Sequence, residues 1–391
     1  MSPTPVPIPP ASVPAGTPAW SSADAARWTQ AGPAPWARPA WSVLALLSTV
    51  VWAVALSSEP RCSDAAPCTA DWVGLIQMAL AVGLLYWLAR LPELALLAAP
   101  ALAAIVVWGE LPYAEGMSWA ANVTVLAALA LGFLQARERL AARARQRELA
   151  ERASGVRHKN PGPLGPFTRG LVPLVTGLLL CAVAATALAT GLRGIDADER
   201  HAARAVPVTA KVLSRAEESI RVGTDDERTL TVDAFFPEDY DIGSTVTVLE
   251  DGPWRRLTAE PYDAFDRQLL ILVTALPGVS LLTTAALARR RARHLRDTPV
   301  PALRVLDRTD HHGRTWIYAA DDTEARTPLF TCFCTPTHLE PPATTELPAD
   351  TRLHETILLG APHDSAELTL LTTDRTGTPL TLRTTAPARL L

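Results

Sequence analysis

Cys332-Phe333-Cys334, followed by His338, is the stretch whose residue types and spacing come nearest to a metal site. Residues two apart in a strand share a face, so both sulfurs would point at one ion, with His311 or His312 to complete the set. Structural zinc sites, however, use a wider Cys-to-Cys spacing and a turn that a strand lacks. Two buried or half-buried thiols in a reducing compartment are therefore expected in place of a metal centre. His354-Glu355 continues as Thr356-Ile357-Leu358, so the second histidine of a zinc-protease helix is missing. Gly278-Val279-Ser280 has the look of an intramembrane serine nucleophile. No histidine lies in any apolar run to serve as its base, and Pro277-Gly278 beside it reads as a helix kink. His158, His201, His294 and His363 are isolated and read as surface residues. There is no phosphate-binding glycine loop and no dinucleotide fingerprint. The sequence therefore predicts no catalytic residue and no cofactor.

The elements that would position such groups are apolar runs. Six occur, at 40–56, 72–89, 94–108, 117–134, 171–190 and 268–287. A bilayer-spanning helix needs about 20 apolar residues, which five of the six approach; the third is short and carries Pro100. Arg90-Leu91-Pro92-Glu93 reads as a tight turn joining runs two and three. Trp41, Trp72, Trp87, Trp108 and Trp119 stand at or near run ends, where an amphipathic ring suits the membrane interface. No ionisable residue lies within a run. Ion carriers accept a cost of about 2.5–3.5 kcal/mol to place one there. Gln77, Asn122, Thr124, Thr176 and Thr186 read as interhelical hydrogen-bonding groups. Small residues four apart (Ala120, Thr124, Ala128, Gly132; Gly177, Cys181, Ala185, Ala189) predict close-packed seams within a bundle or between copies of it.

Charge supplies the orientation. The segments after runs four and six are rich in arginine, whereas 109–116 is acidic and the segment between runs five and six carries more Asp and Glu than Arg. Basic loops in the cytoplasm give six transmembrane helices at the cell membrane with both termini inside. Cys62 and Cys68 then fall outside, where oxidation is permitted, and are expected to form a disulfide; Cys332 and Cys334 fall inside.

The flanking regions read as follows. Residues 1–39 are a Pro-rich cytoplasmic N-terminus expected to be disordered, without the basic and apolar regions of a signal peptide. Trp20, Trp28 and Trp36, eight residues apart, read as interfacial anchors, or as a ligand motif for a partner that reads Pro or Trp. Residues 135–170 read as a basic, solvated helix near anionic lipid, followed by a Gly- and Pro-rich linker.

Two β-rich regions remain. Residues 191–267 alternate apolar and polar positions, as in Val206-Pro-Val-Thr-Ala-Lys-Val212 and Ser244-Thr-Val-Thr-Val-Leu249, with a hairpin turn at Glu250-Asp251-Gly252. A small extracytoplasmic antiparallel barrel or sandwich is expected. Residues 289–391 carry six candidate strands, beginning at 302, 315, 329, 355, 367 and 379, in a cytoplasmic domain. The pattern Asp241-Ile-Gly243-Ser-Thr-Val246-Thr-Val248, then Trp254-Arg-Arg-Leu-Thr-Ala-Glu260-Pro261-Tyr262-Asp263, resembles uncharacterised actinobacterial membrane proteins with a small β-module between two helices. That resemblance spans about residues 171–296 and implies an architecture but no activity or site residues.

A net charge of −4 on 391 residues gives no footprint for nucleic acid. The expected partners are the lipid bilayer, membrane or envelope proteins meeting the outer module, and further copies of the chain. The leading expectation is a non-enzymatic scaffold, assembly factor or sensor; a transporter or channel subunit and a membrane-bound enzyme are the alternatives.

Overall fold

The computed structural model describes residues 5–56, 62–65, 67, 68, 70–160, 170–336, 351–373, 378–385 and 388–390. Its helices are α1 (Ser22–Gln30), α2 (Pro39–Leu56), α3 (Trp72–Arg90), α4 (Pro92–Ile105), α5 (Gly116–Ser154), α6 (Leu171–Ala202) and α7 (Phe265–Asp297). A π-helical turn (Val106–Glu110) and a 3-10 turn (Leu111–Tyr113) extend α4. With that extension, six helices (α2 to α7) are long and apolar enough to cross a membrane. The tight turn at Arg90-Leu91-Pro92 is present: Pro92 opens α4, where its missing N–H costs nothing.

α2, α3, α4 and α5 pack together, and the antiparallel pair α6 and α7 lies beside them with α7 against α3. Small residues set the α6–α7 spacing. A Cβ on Gly278 would stand 2.8 Å from the Cys181 sulfur, and one on Gly177 would stand 3.0 Å from the Gly278 carbonyl oxygen. Ser280, whose position resembled that of a nucleophile, accepts a hydrogen bond from Trp87 Nε1 (2.8 Å) and donates one to the Leu276 carbonyl (2.8 Å). It fastens α7 to α3.

α5, α6 and α7 run past their apolar cores. α6 has 32 residues and α7 has 33. At 1.5 Å per residue each is about 48–50 Å long, well beyond a hydrocarbon core of about 30 Å. At one end of the bundle they carry a five-stranded antiparallel module of β2 (Val206–Arg215), β3 (Ser219–Thr224), β4 (Thr229–Asp233), β5 (Thr245–Asp251) and β6 (Trp254–Leu257), preceded in the chain by the short β1 (Arg157–His158) after α5. The order is β4-β3-β2-β5-β6, and the sheet curls until β4 approaches β6. Alternate residues of β3, β4 and β5 are buried, so Ile220, Val222, Leu230, Val232, Val246 and Val248 form its core. β3 was not among the expected strands, although Ile220 and Val222 alternate as they should.

The other end carries β7 (Val300–Thr309), β8 (Arg314–Tyr318), β9 (Pro328–Pro336), β10 (His354–Leu359), β11 (Thr369–Thr373), β12 (Pro379–Thr384) and β13 (Arg389–Leu390). Six of these close a ring, β7-β10-β11-β12-β9-β8 and back to β7, antiparallel throughout; β1 adds to β7 and β13 to β9. Closure removes the sheet edges that an open sheet would expose.

Three expectations need correction here. First, residues 5–38 are not a disordered tail. Val6 and Ala19 bridge His354 and Arg304 in parallel, and Trp20 exchanges backbone hydrogen bonds with Arg304 and Ala320. Extended, Pro-rich backbone has no internal hydrogen bonds, which leaves its N–H and C=O groups free to pair with a neighbouring strand. Second, Trp20 and Trp28 are not interfacial: each is 1% exposed in the barrel core, edge to face with centroids 5.5 Å apart, and only Trp36 is largely exposed. Third, the basic part of α5 is not simply solvated. Gln135, Ala142, Arg143, Gln146 and Ala150 recur at helical spacing and are buried, with Ala150 in the barrel core. The barrel is thus assembled from residues 5–31, the end of α5 and the C-terminal strands, and it begins at residue 300 because α7 continues to Asp297.

Candidate functional site

The densest set of charges lies where the barrel meets the bundle. Arg139 and Arg143 are four residues apart on α5 and so share a face. Arg139 donates to the carbonyls of Leu88 and Ala89 (3.1 Å to the latter), capping the end of α3, where the unpaired carbonyls make a cation favourable. Arg143, its side chain 8% exposed, donates to Glu93 (3.0 Å), Asp364 (2.9 Å) and Ser365 Oγ (3.2 Å). Glu93 sits in the first turn of α4, where a carboxylate is favoured by the helix dipole. From α7, Arg291 donates to the Ser365 carbonyl (2.9 Å) and approaches Glu93 at 3.5 Å. One arginine therefore joins α4, α5 and the β10–β11 segment, and a second ties in α7.

A cavity of about 710 Å³ opens beside this cluster, with Arg147, Arg290 and His363 in its wall. His363 is pushed down to about 4, first by burial and then by the guanidiniums of Arg147, Arg291 and Arg143, against its Nδ1 hydrogen bond to the Ala361 carbonyl (2.8 Å). Burial is the larger cause, and the surrounding guanidiniums add a positive potential to it. The arrangement can hold an anion and lock two parts of the molecule together.

A second cavity, about 480 Å³, lies within the bundle near the five-stranded module. Gln77, Asn122, Ser118 and Glu110 line it, and Gln77 donates a hydrogen bond to the Glu110 carboxylate. Glu110 closes the π-helical turn after α4, an irregularity that often marks functional sites.

Cys332 and Cys334 lie side by side on β9, their sulfurs 3.4 Å apart and buried in the barrel core. The hydrogen bond it shares with Cys334, together with burial, pushes the Cys332 thiol well up, which favours the protonated form over the thiolate a metal needs. His311 and His312 are exposed in the β7–β8 turn, and His338 lies outside the described residues. Among the described residues, no three His, Cys, Asp or Glu side chains come together as a metal site would require.

Cys62 and Cys68 are joined by a disulfide, with Cα atoms 5.4 Å apart. The bridged loop docks on the five-stranded module: Cys68 N–H donates to the Ala259 carbonyl (2.8 Å), Cys62 N–H donates to Asp239 (3.0 Å), and Cys62 enters the module core. A second tie comes from α6, where His201 Nδ1 lies 2.7 Å from Asp251 and the ring stacks on Trp254.

The junction residues Glu93, Asp364 and Arg291 escaped sequence reasoning, although the basic runs that carry Arg143 and Arg291 stood out. The usable signal was periodicity. Positions 135, 142, 143, 146 and 150 are buried and, with the half-buried Arg139, trace one helix face, which a solvated helix would not need. No protein-family model, curated protein or solved structure matches this chain.

Proposed function

We propose that this chain is a non-enzymatic scaffold of the cell membrane, with both termini in the cytoplasm, the five-stranded module outside and the barrel inside. The observation that carries this reading is the continuity of α6 and α7, two close-packed helices that leave the bundle at both ends and connect one β-domain to the other. Each domain has further ties: the disulfide loop holds the module to α2 and α3, and Arg143 holds the barrel to α4 and α5. Arginine gathers at the barrel end and the disulfide lies at the module end, which supports the barrel as the cytoplasmic side. Crosslinking in native membranes, followed by affinity purification and mass spectrometry, tests the proposal. A recurrent partner that disappears when residues 193–266 are deleted supports a scaffold; recovery of the chain alone overturns it.

A transport role is favoured by one observation, the polar cavity lined by Gln77, Asn122 and Glu110. Proteoliposomes would show ion leakage above empty vesicles, abolished by Glu110→Gln. Tight vesicles would remove this reading.

A further inference from the structure

Arg289, Arg290 and Arg293 occupy one turn near the end of α7 and line a cavity of about 400 Å³ with Leu174 and Ala286; no carboxylate is among its lining residues. None of the three hydrogen-bonds to or pairs with a described residue, and the Arg289 Nε is buried without a partner. The contrast with the neighbouring Arg143 and Arg291 is sharp, since both of those are matched by Glu93. Like charges at this spacing on a helix repel one another, and only Arg293 feels a nearby carboxylate, that of Asp297, so an anion seated between the three is favoured. The apolar wall says which anion. Leu174 lies in the first turns of α6, whose outer face continues away from the cavity as exposed Leu171, Val172, Val175, Leu178 and Leu179.

A ligand that fits must carry a phosphate-like charge at one end and hydrocarbon along the other. We propose that this cavity binds the phosphate of an anionic phospholipid, with its acyl chains lying along α6. The proposal rests on α6 and α7 being membrane spans. Arg290 also lines the larger junction cavity, together with Arg147, so the bound lipid would neutralise one wall of the contact between barrel and bundle.

The test uses the full chain in nanodiscs of phosphatidylcholine with or without phosphatidylglycerol, reading retained lipid by native mass spectrometry. Wild type is expected to retain phosphatidylglycerol in preference, and R289Q/R290Q/R293Q to lose about 100-fold of that preference, or roughly fivefold per guanidinium. Should the triple variant fail to fold, the exposed single variant R290Q, with an expected loss of about fivefold, decides the matter. Equal preference in wild type and variants overturns the proposal. Displacement of phosphatidylglycerol by millimolar inorganic phosphate, with equal thermal stabilisation by phosphate alone, assigns the site to a free anion and overturns the lipid. Release of the protein from native membranes by alkaline carbonate would instead refute the membrane spans, an outcome separable from any lipid preference.

Discussion

The five-stranded module and the six-stranded barrel reach stability by different routes. The module is a single insertion between α6 and α7 with one buried and one exposed face, and β4 reads exposed and buried in strict alternation. In the barrel, nine of ten residues of β7 are at least half-buried and all five of β11 are buried. Both faces are covered there: Trp20, Trp28 and Ala150 join the cluster shared by all six ring strands, and Ile8 and Leu295 lie against the other face of β7, β10 and β11. The module borrows only the short disulfide loop Cys62–Cys68 from elsewhere among the described residues, whereas the barrel borrows two long stretches of chain. A sheet with one wet face can be written into consecutive residues. A ring covered on its outside needs distant parts of the chain to arrive.

This difference can be broken at its strongest point first. Trp28→Ala removes a fully buried indole and its hydrogen bond to the Pro362 carbonyl (2.9 Å). The expected cost is about 4 kcal/mol, and hydrogen exchange on the full chain should show lost protection in β7, β8 and β9 with the module unchanged. Arg143→Met leaves Glu93 and Asp364 without their main cation. A loss of about 3 kcal/mol is expected, read as faster exchange in the barrel and in the first turn of α4. If Arg143→Met instead raises the melting temperature, the ion cluster serves specificity and not stability.

On the module side, Cys62→Ser with Cys68→Ser releases a short loop worth about 2 kcal/mol by chain entropy. Exchange should then rise in the module and leave the barrel untouched. Equal loosening of both domains would show that α6 and α7 transmit the change.

The smallest effect expected is a pH dependence confined to the barrel end. The folded His363 value, about 4, lies below an unfolded value near 6.5, so the unfolded chain binds more protons between those limits. Stability from this group is complete above about pH 6.5 and falls with pH until about 4. Between pH 7 and 5.5 the loss is about 1 kcal/mol, and His363→Asn should remove that slope in a thermal melt.

Much of the architecture was written locally. Six apolar runs of near-spanning length became the six long helices, and each of the six strands of the barrel ring coincides with an apolar or alternating stretch of the tail, because hydropathy and periodicity report burial without reference to distant residues. Cys62 and Cys68 share one loop that the charge pattern places outside, where oxidation is permitted, so their pairing was expected. The ends of α6 and α7 were less legible. Polar residues after an apolar run say that the membrane has ended, but not that the helix has.

Tertiary structure alone decided the rest. Residues 5–38 are too rich in proline to fold on their own, yet their bare backbone and two indoles found a barrel to complete, and composition cannot announce a partner about 300 residues away. The same holds for arginine. Arg143, Arg290 and Arg291 are the same residue type in similar basic runs. Glu93 and Asp364 match Arg143, and Glu93 lies near Arg291, while Arg290 faces open cavities. A charge run states only that cations are present; which of them hold the fold, and which are left to bind something else, depends on the carboxylates that folding brings within reach.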